Sequence, residues 1–187
     1  MMRSKSELKP VVAALAVLLC AAAPAAAQQN ESLPDLFAAL QDAEGAAADE
    51  IVERIQKEWS RSGSPAMDLL LDRAREAMAG GETALALGHL GALIDHAPEF
   101  AEGYNARAAA YFQLDRYGEA LDDLRMALAL NPRHFGAITG LALILEALDR
   151  PERALAAWRE VERLNPSQEG LAAAMSRLQR AVEGAEI

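Results

Sequence analysis

Three histidines and a few carboxylates are the residues in this chain best equipped for chemistry. His89 and His96 lie seven residues apart, with Asp95 beside the second. On a helix that spacing brings both imidazoles near one face, and two imidazoles with a carboxylate form a minimal metal-ligand set. The spacing matches neither HxxxH nor HExxH, the helical arrangements that converge on one ion. Helix-surface and helix-end positions are therefore the preferred reading for His89, His96 and His134, and no metal is assigned. The neighbouring carboxylates Asp49/Glu50 and Asp122/Asp123 diverge on a helix and read as a solvated face. The sequence has no serine elbow, Gly-rich phosphate loop or dinucleotide fingerprint. Its single cysteine, Cys20, excludes an intrachain disulfide and a Cys-rich metal site. The chain reads as a non-enzyme without a cofactor.

The bulk of the sequence narrows the class further. Its 187 residues are rich in Ala, Leu, Glu and Arg, all strong helix formers, and contain 5% aromatics. Residues 1–27 read as a secretory signal: Arg3, Lys5 and Lys9, then an apolar run, then small residues at Ala25–Ala27 before Gln28. Pro24 interrupts the apolar run, which is short for a membrane span. Cleavage after Ala27 and retention as an anchor both stay open. Lipid attachment at Cys20 is disfavoured because Leu19 precedes it, where processing needs a small residue. Loss of this segment, with its net of +2, takes the chain from −10 to −12. So acidic a surface disfavours nucleic acid and anionic lipid. The expected location is the bacterial periplasm, without direct membrane binding after cleavage.

The elements that must position any functional residue follow from the prolines. Pro98, Pro132 and Pro166 are spaced 34 residues apart, each after an apolar run. The chain divides there into three units, 67–100, 101–134 and 135–168. Fixed self-similarity at this period signals an array of helical hairpins. In the middle unit, Tyr104, Arg107, Ala108 and Tyr111 have helical spacing, and so do Ala120, Leu121, Leu124, Ala127 and Leu128. A short polar turn joins the two runs, so they fold back as an antiparallel pair. Small residues recur where the two helices cross: Ala74 and Ala86, Ala108 and Ala120, Ala142 and Ala154. Large apolar residues surround them, among them Leu90, Leu124 and Trp158. Each proline disfavours helix in the residue before it and closes a unit.

One such unit cannot stand alone, so both ends need caps. Residues 169–187 read as a C-terminal capping helix and tail, with Leu171, Met175 and Leu178 on one face and Arg177 and Arg180 complementing the helix end. Residues 28–66 read as a tail and two shorter helices broken near Gly45, a degenerate fourth hairpin. Leu36, Phe37 and Leu40 form one face there; Ile51, Ile55 and Trp59 form another. Gly88 and Gly91 either allow close approach to this hairpin or are simply tolerated.

The 34-residue pattern resembles the tetratricopeptide repeat family. Tyr104, Ala108, Tyr111, Ala120, Leu124, Ala127 and Pro132 carry the match in the middle unit; Ala142, Ala154, Trp158 and Pro166 do so in the third; Ala74, Ala86 and Pro98 in the first. Arg107 departs from the family's common Leu, and its expected role is pairing with an acidic neighbour. The resemblance implies an all-α, right-handed solenoid whose first helices line a concave groove that binds another protein. By matched position that groove holds Asp68, Leu71, Arg75 and Met78; then Glu102, Asn105, Ala109, Phe112 and Gln113; then Thr139, Leu143 and Glu146. Packing between first helices is an equal expectation for Phe112. The Lys/Asn/Arg clamp of chaperone-binding members is missing, since Leu71, Ala106, Gly136 and Gly140 stand at its places and only Arg75 is basic. The implied function is a scaffold of the cell envelope. The alternatives are a metal- or small-ligand-binding accessory protein using His89, Asp95 and His96, and self-assembly with a second copy.

Overall fold

A computed structural model of the chain describes residues 31–185, so the signal segment and its cleavage lie outside the described residues. Nine α-helices and no strands occur among those described: α1 (Leu33–Asp42), α2 (Gly45–Trp59), α3 (Pro65–Ala79), α4 (Thr83–His96), α5 (Ala101–Gln113), α6 (Tyr117–Leu130), α7 (Phe135–Ala147), α8 (Pro151–Leu164) and α9 (Leu171–Ala185). This is the all-α hairpin solenoid that the sequence implies.

Local chemistry sets the helix ends. Ser32 caps α1 in a reciprocal box with Asp35, and Pro34, Pro65 and Pro151 occupy first turns that need no proline N–H. Ala97, Asn131 and Asn165, each just before a proline, leave helical geometry with ψ of 66°, 90° and 82°. The turns inside the hairpins need a left-handed residue, and the chain places one every 34 positions: Gly81 (φ 76°), Asp115 (φ 55°) and Asp149 (φ 54°).

Hairpins α3–α4, α5–α6 and α7–α8 pack side by side, with α3, α5 and α7 adjacent in one layer and α9 against α8. The crossing alanines Ala74, Ala86, Ala108, Ala120, Ala142 and Ala154 are all buried. Gly103 lets α5 approach α4 closely, because a Cβ there would lie 3.3 Å from a Leu93 methyl. Gly88 and Gly91 serve no such approach; a Cβ at either would meet nothing within 4 Å.

The N-terminal hairpin does not stack on α3. Its Leu36, Phe37, Leu40, Ala48 and Ile55 share a core with Phe135, Trp158, Val161 and Leu164 of the third hairpin and with Leu171 and Leu178 of α9. Direct bonds fix it there: Gln41 Nε2 donates to the Leu164 carbonyl at 3.3 Å, and Ser167 Oγ to the Ala43 carbonyl at 2.9 Å. The outer side of α3 explains why. Leu69, Asp72 and Glu76 are exposed at positions where α5 has Gly103, Ala106 and Ala110 and α7 has Ala137, Gly140 and Ile144. Docking a helix there would bury two carboxylates, so α3 ends the stack. At the other end, α9 runs on to Ala185, which leaves Arg177 and Arg180 short of its last turn. Arg177 instead pairs with Glu146 of α7, and Arg180 donates to Ser176.

Candidate functional site

The inner layer α3, α5 and α7 carries the predicted groove residues, and the structure separates them into two groups. The first group is used up inside the protein. Leu71 is fully buried with Ala74, Leu90 and Leu93, so it cannot meet a partner. Met78 packs half-buried against the same core. Asp68 secures the loop before α3, where its Oδ1 accepts from the Ser62 N–H (2.8 Å) and hydroxyl (2.5 Å).

Glu102 is the clearest correction, since it is buried rather than displayed. Its Oε1 accepts from Arg75 Nη2 at 2.7 Å, and its Oε2 from Asn105 Nδ2 at 3.1 Å. His134 completes the cluster. Its Nδ1 accepts from the Ala137 N–H and caps α7, so the ring proton sits on Nε2 and is donated to Glu102 Oε2 at 2.8 Å. Trp59 of α2 stacks on the imidazole with centroids 4.3 Å apart, and Arg75 also donates to Ser60 at 2.9 Å. Burial pushes the Glu102 carboxyl up, but the His134 hydrogen bond and the Arg75 charge outweigh it and hold it below the ordinary carboxylate range. His134 is therefore an interior residue, not a surface one. Gln56 and Trp59 roof this corner and leave a cavity of about 200 Å³ beside Arg75, Asn105 and Gly136.

The second group forms an open trough. Asn105, Ala109, Phe112 and Gln113 of α5 face Thr139 and Leu143 of α7 across a cavity of about 430 Å³. Gly136 and Gly140 widen it on the α7 side, and Leu124 closes its floor with Ala108 and Ile144. Phe112 lines this cavity and packs on Tyr117 of α6, the second helix of its own hairpin, with centroids 5.7 Å apart, whereas the expected packing was between first helices. Thr139 and Leu143 are also a wall of a second cavity, about 450 Å³, completed by Glu146, Trp158, Gln168, Glu169 and the α9 residues Ala173, Ala174 and Arg177. Glu146 is engaged there, accepting from Trp158 Nε1 at 2.6 Å and from Arg177. The share of α9 in this trough is absent from the sequence reading. Its Gly170, with φ of 74°, sits at the trough edge just before the helix.

One more expectation changes. Asp123 is not part of a solvated face; it is buried and holds Arg107 by two bonds of 2.7 Å, the pairing expected for Arg107. His89, Asp95 and His96 do not converge, and among the described residues no group of three or more His, Cys, Asp or Glu could hold a metal ion. No helix among the described residues is long and apolar enough to cross a membrane.

Comparison with known proteins agrees with this geometry. The tetratricopeptide repeat profile matches residues 101–134. A TPR repeat-containing protein of Rhizobium etli is 31% identical over 144 residues, which cover 76% of this chain and 71% of that protein. Among solved structures, the first TPR of Spaghetti (RPAP3) bound to the HSP90 peptide SRMEEVD superposes with a TM-score of 0.61 at 22% identity, covering 64% of this chain and 95% of that one. The crystal structure of MamA protein superposes with a TM-score of 0.58 at 20% identity, covering 74% of this chain and 73% of that one. These likenesses concern the fold.

Proposed function

The chain belongs to the tetratricopeptide repeat proteins, and from that premise we propose that it is a non-catalytic adaptor that holds a peptide or helix of another protein in the trough across α5, α7 and α9. One observation carries the reading. The two apolar cavities share Thr139 and Leu143 and stay open, while Gln56 and Trp59 of α2 cover the corner around Glu102. That the structurally similar first TPR of RPAP3 is bound to an HSP90 peptide supports the assignment. That peptide is acidic, and among the described residues the trough offers no clamp of free cations to receive one: Arg75 is held by Glu102 and Arg177 by Glu146. The partner is therefore of another kind.

The place of action we propose is the bacterial cell envelope, on the strength of the signal-like residues 1–27. N-terminal sequencing of the protein purified from its native host tests that part, with Gln28 as the expected first residue; a chain starting at Met1 in the cytoplasmic fraction overturns it. The binding claim is tested by a photo-crosslinking residue at Leu143, on the trough wall, against one at Met126, exposed on α6. A discrete crosslinked polypeptide at Leu143 alone is expected. Equal capture at both positions, or none at either, refutes the assignment.

A further inference from the structure

The trough just assigned to a partner, on which this inference rests, does not stop at the apolar cavity between α5 and α7. We propose that it continues beneath α2 into a polar subsite, which takes one uncharged hydrogen-bonding side chain of the partner segment: asparagine, glutamine, serine or threonine.

Two residues make the continuity. Asn105 and Gly136 line both the apolar cavity of about 430 Å³ and the cavity of about 200 Å³ that Gln56 and Trp59 roof. Gly136 stands at the passage between them. A Cβ there would lie 3.4 Å from His134 Cε1 and 4.0 Å from Asn105 Nδ2, so a side chain would point at two walls of the smaller cavity. Glycine keeps that passage clear. At ~30 Å³ per water the smaller cavity has room for about six waters, enough for one side chain of modest size.

The walls set the chemistry of what enters. Glu102 and His134 are only 8% and 2% exposed, and Arg75 pairs with Glu102 at 2.7 Å. The subsite thus holds one charge of each sign, already joined. An incoming carboxylate would lie beside Glu102, and an incoming ammonium beside Arg75. Either would leave water for a place where the opposite charge is already spent. An apolar side chain fails for a different reason, because it would cover polar groups without pairing them. Asn105 gives one N–H to Glu102 at 3.1 Å, which leaves its carbonyl oxygen and second N–H, and Gln56 brings a further amide from α2. A neutral amide or hydroxyl satisfies these groups and carries no charge to desolvate.

A library of random 12-residue peptides displayed on phage, panned against the purified chain, tests the proposal, with affinities then read by fluorescence anisotropy. Trough binders are those weakened by Ala109→Trp, which fills the apolar cavity. They should share one Asn, Gln, Ser or Thr beside apolar residues. Changing that residue to alanine should weaken binding about five- to tenfold, and changing it to aspartate or lysine at least as much. Gly136→Leu, which blocks the passage, should remove the preference, so that the selected peptide and its alanine form bind equally. Leucine is the better helix former, so α7 should persist in this variant, and circular dichroism checks it. Gln56→Ala, which touches no buried pair, should shrink the alanine penalty. An undiminished penalty in Gly136→Leu, or trough binders with no shared uncharged polar residue, overturns the subsite and leaves the trough standing. A carboxylate or a lysine selected at that place overturns the neutral chemistry. If no selected peptide is weakened by Ala109→Trp, the trough and the subsite fall together.

Discussion

The residue with the most consequences is Glu102. Its carboxylate receives Arg75, Asn105 and His134, which come from three helices or their caps, and Trp59 of α2 covers the imidazole. Glutamine at this position keeps the shape but turns one oxygen into a donor facing other donors. Hydrogen bonds to a charged group are worth about 1.5–3 kcal/mol, so Glu102→Gln should cost about 2–3 kcal/mol of unfolding free energy at pH 7, read by urea denaturation. The pH dependence has a definite sign. The folded carboxyl lies below the ordinary value, so its contribution is complete above the unfolded glutamate value of about 4.3 and is lost as pH falls through the folded one. The Gln penalty should therefore shrink as the pH drops below about 4. A penalty of the same size at pH 7 and pH 3 would refute the assignment. Nothing local in the sequence announces this cluster. His134 is 32 residues from Glu102 and Trp59 is 75 from His134, so the residues meet only through tertiary packing. The family position of Glu102 points to an exposed groove wall, which is what α2 has covered.

At the scale of elements, much was readable because the causes are local. Proline spacing, small crossing residues and turn residues each act within a few positions, so hairpin boundaries follow directly from the letters. The turn position occupied by Gly81, Asp115 and Asp149 shows how far this goes. Left-handed backbone is tolerated by Gly and Asp and penalised in a β-branched residue by about 1–2 kcal/mol. Asp149→Val should lower unfolding free energy by about that amount, while Asp149→Gly should leave it within about 0.5 kcal/mol, both measured by chemical denaturation. Equal losses from the two substitutions would show that the Asp149 side chain, not its backbone, matters there. The misplaced element was the N-terminal hairpin. Its helices and their apolar faces are legible, but its docking site is set by a distant partner. One sequence signal did exist: Asp72 and Glu76 stand at the stacking positions of α3, where later units have Ala, Gly or Ile. Charges at those places say that no hairpin precedes α3 in the stack, and the apolar face of α1 must then be buried elsewhere. The trough shows the same division. Its α5 and α7 walls follow from the repeat, whereas the α9 wall depends on how the last helix turns after Gly170.

For the whole molecule, the N-terminal hairpin changes how the array should come apart. In a simple repeat array each unit touches only its neighbours, and the ends open most readily. Here the N-terminal hairpin and the loop that follows it are bonded to both ends of the stack. Ser60 and Ser62 bond to Arg75 and Asp68 in the first hairpin, while Gln41 bonds to Leu164 at the end of α8 and Ala43 to Ser167 in the loop before α9. Phe37 lies at the far end of this strap, edge-on to Phe135 at 6.2 Å and beneath the Arg133 guanidinium at 3.7 Å. Opening α9 therefore disturbs the core that α1 completes, and protection from hydrogen exchange in α9 should approach that of α5 and α6 rather than trail it. Phe37→Leu leaves the fold intact but loosens the strap at one point, by about 1 kcal/mol as expected for a conservative core change. Exchange in α9 should then quicken by about fivefold at unchanged pH, in step with helices that exchange through global unfolding, because opening α9 already costs the Phe37 contacts. If α9 is unchanged while α5 and α6 quicken, α9 opens without disturbing the strap and the tie is refuted. If α9 already exchanges freely in the unsubstituted protein, the ends are not tied and the molecule behaves as an ordinary linear array.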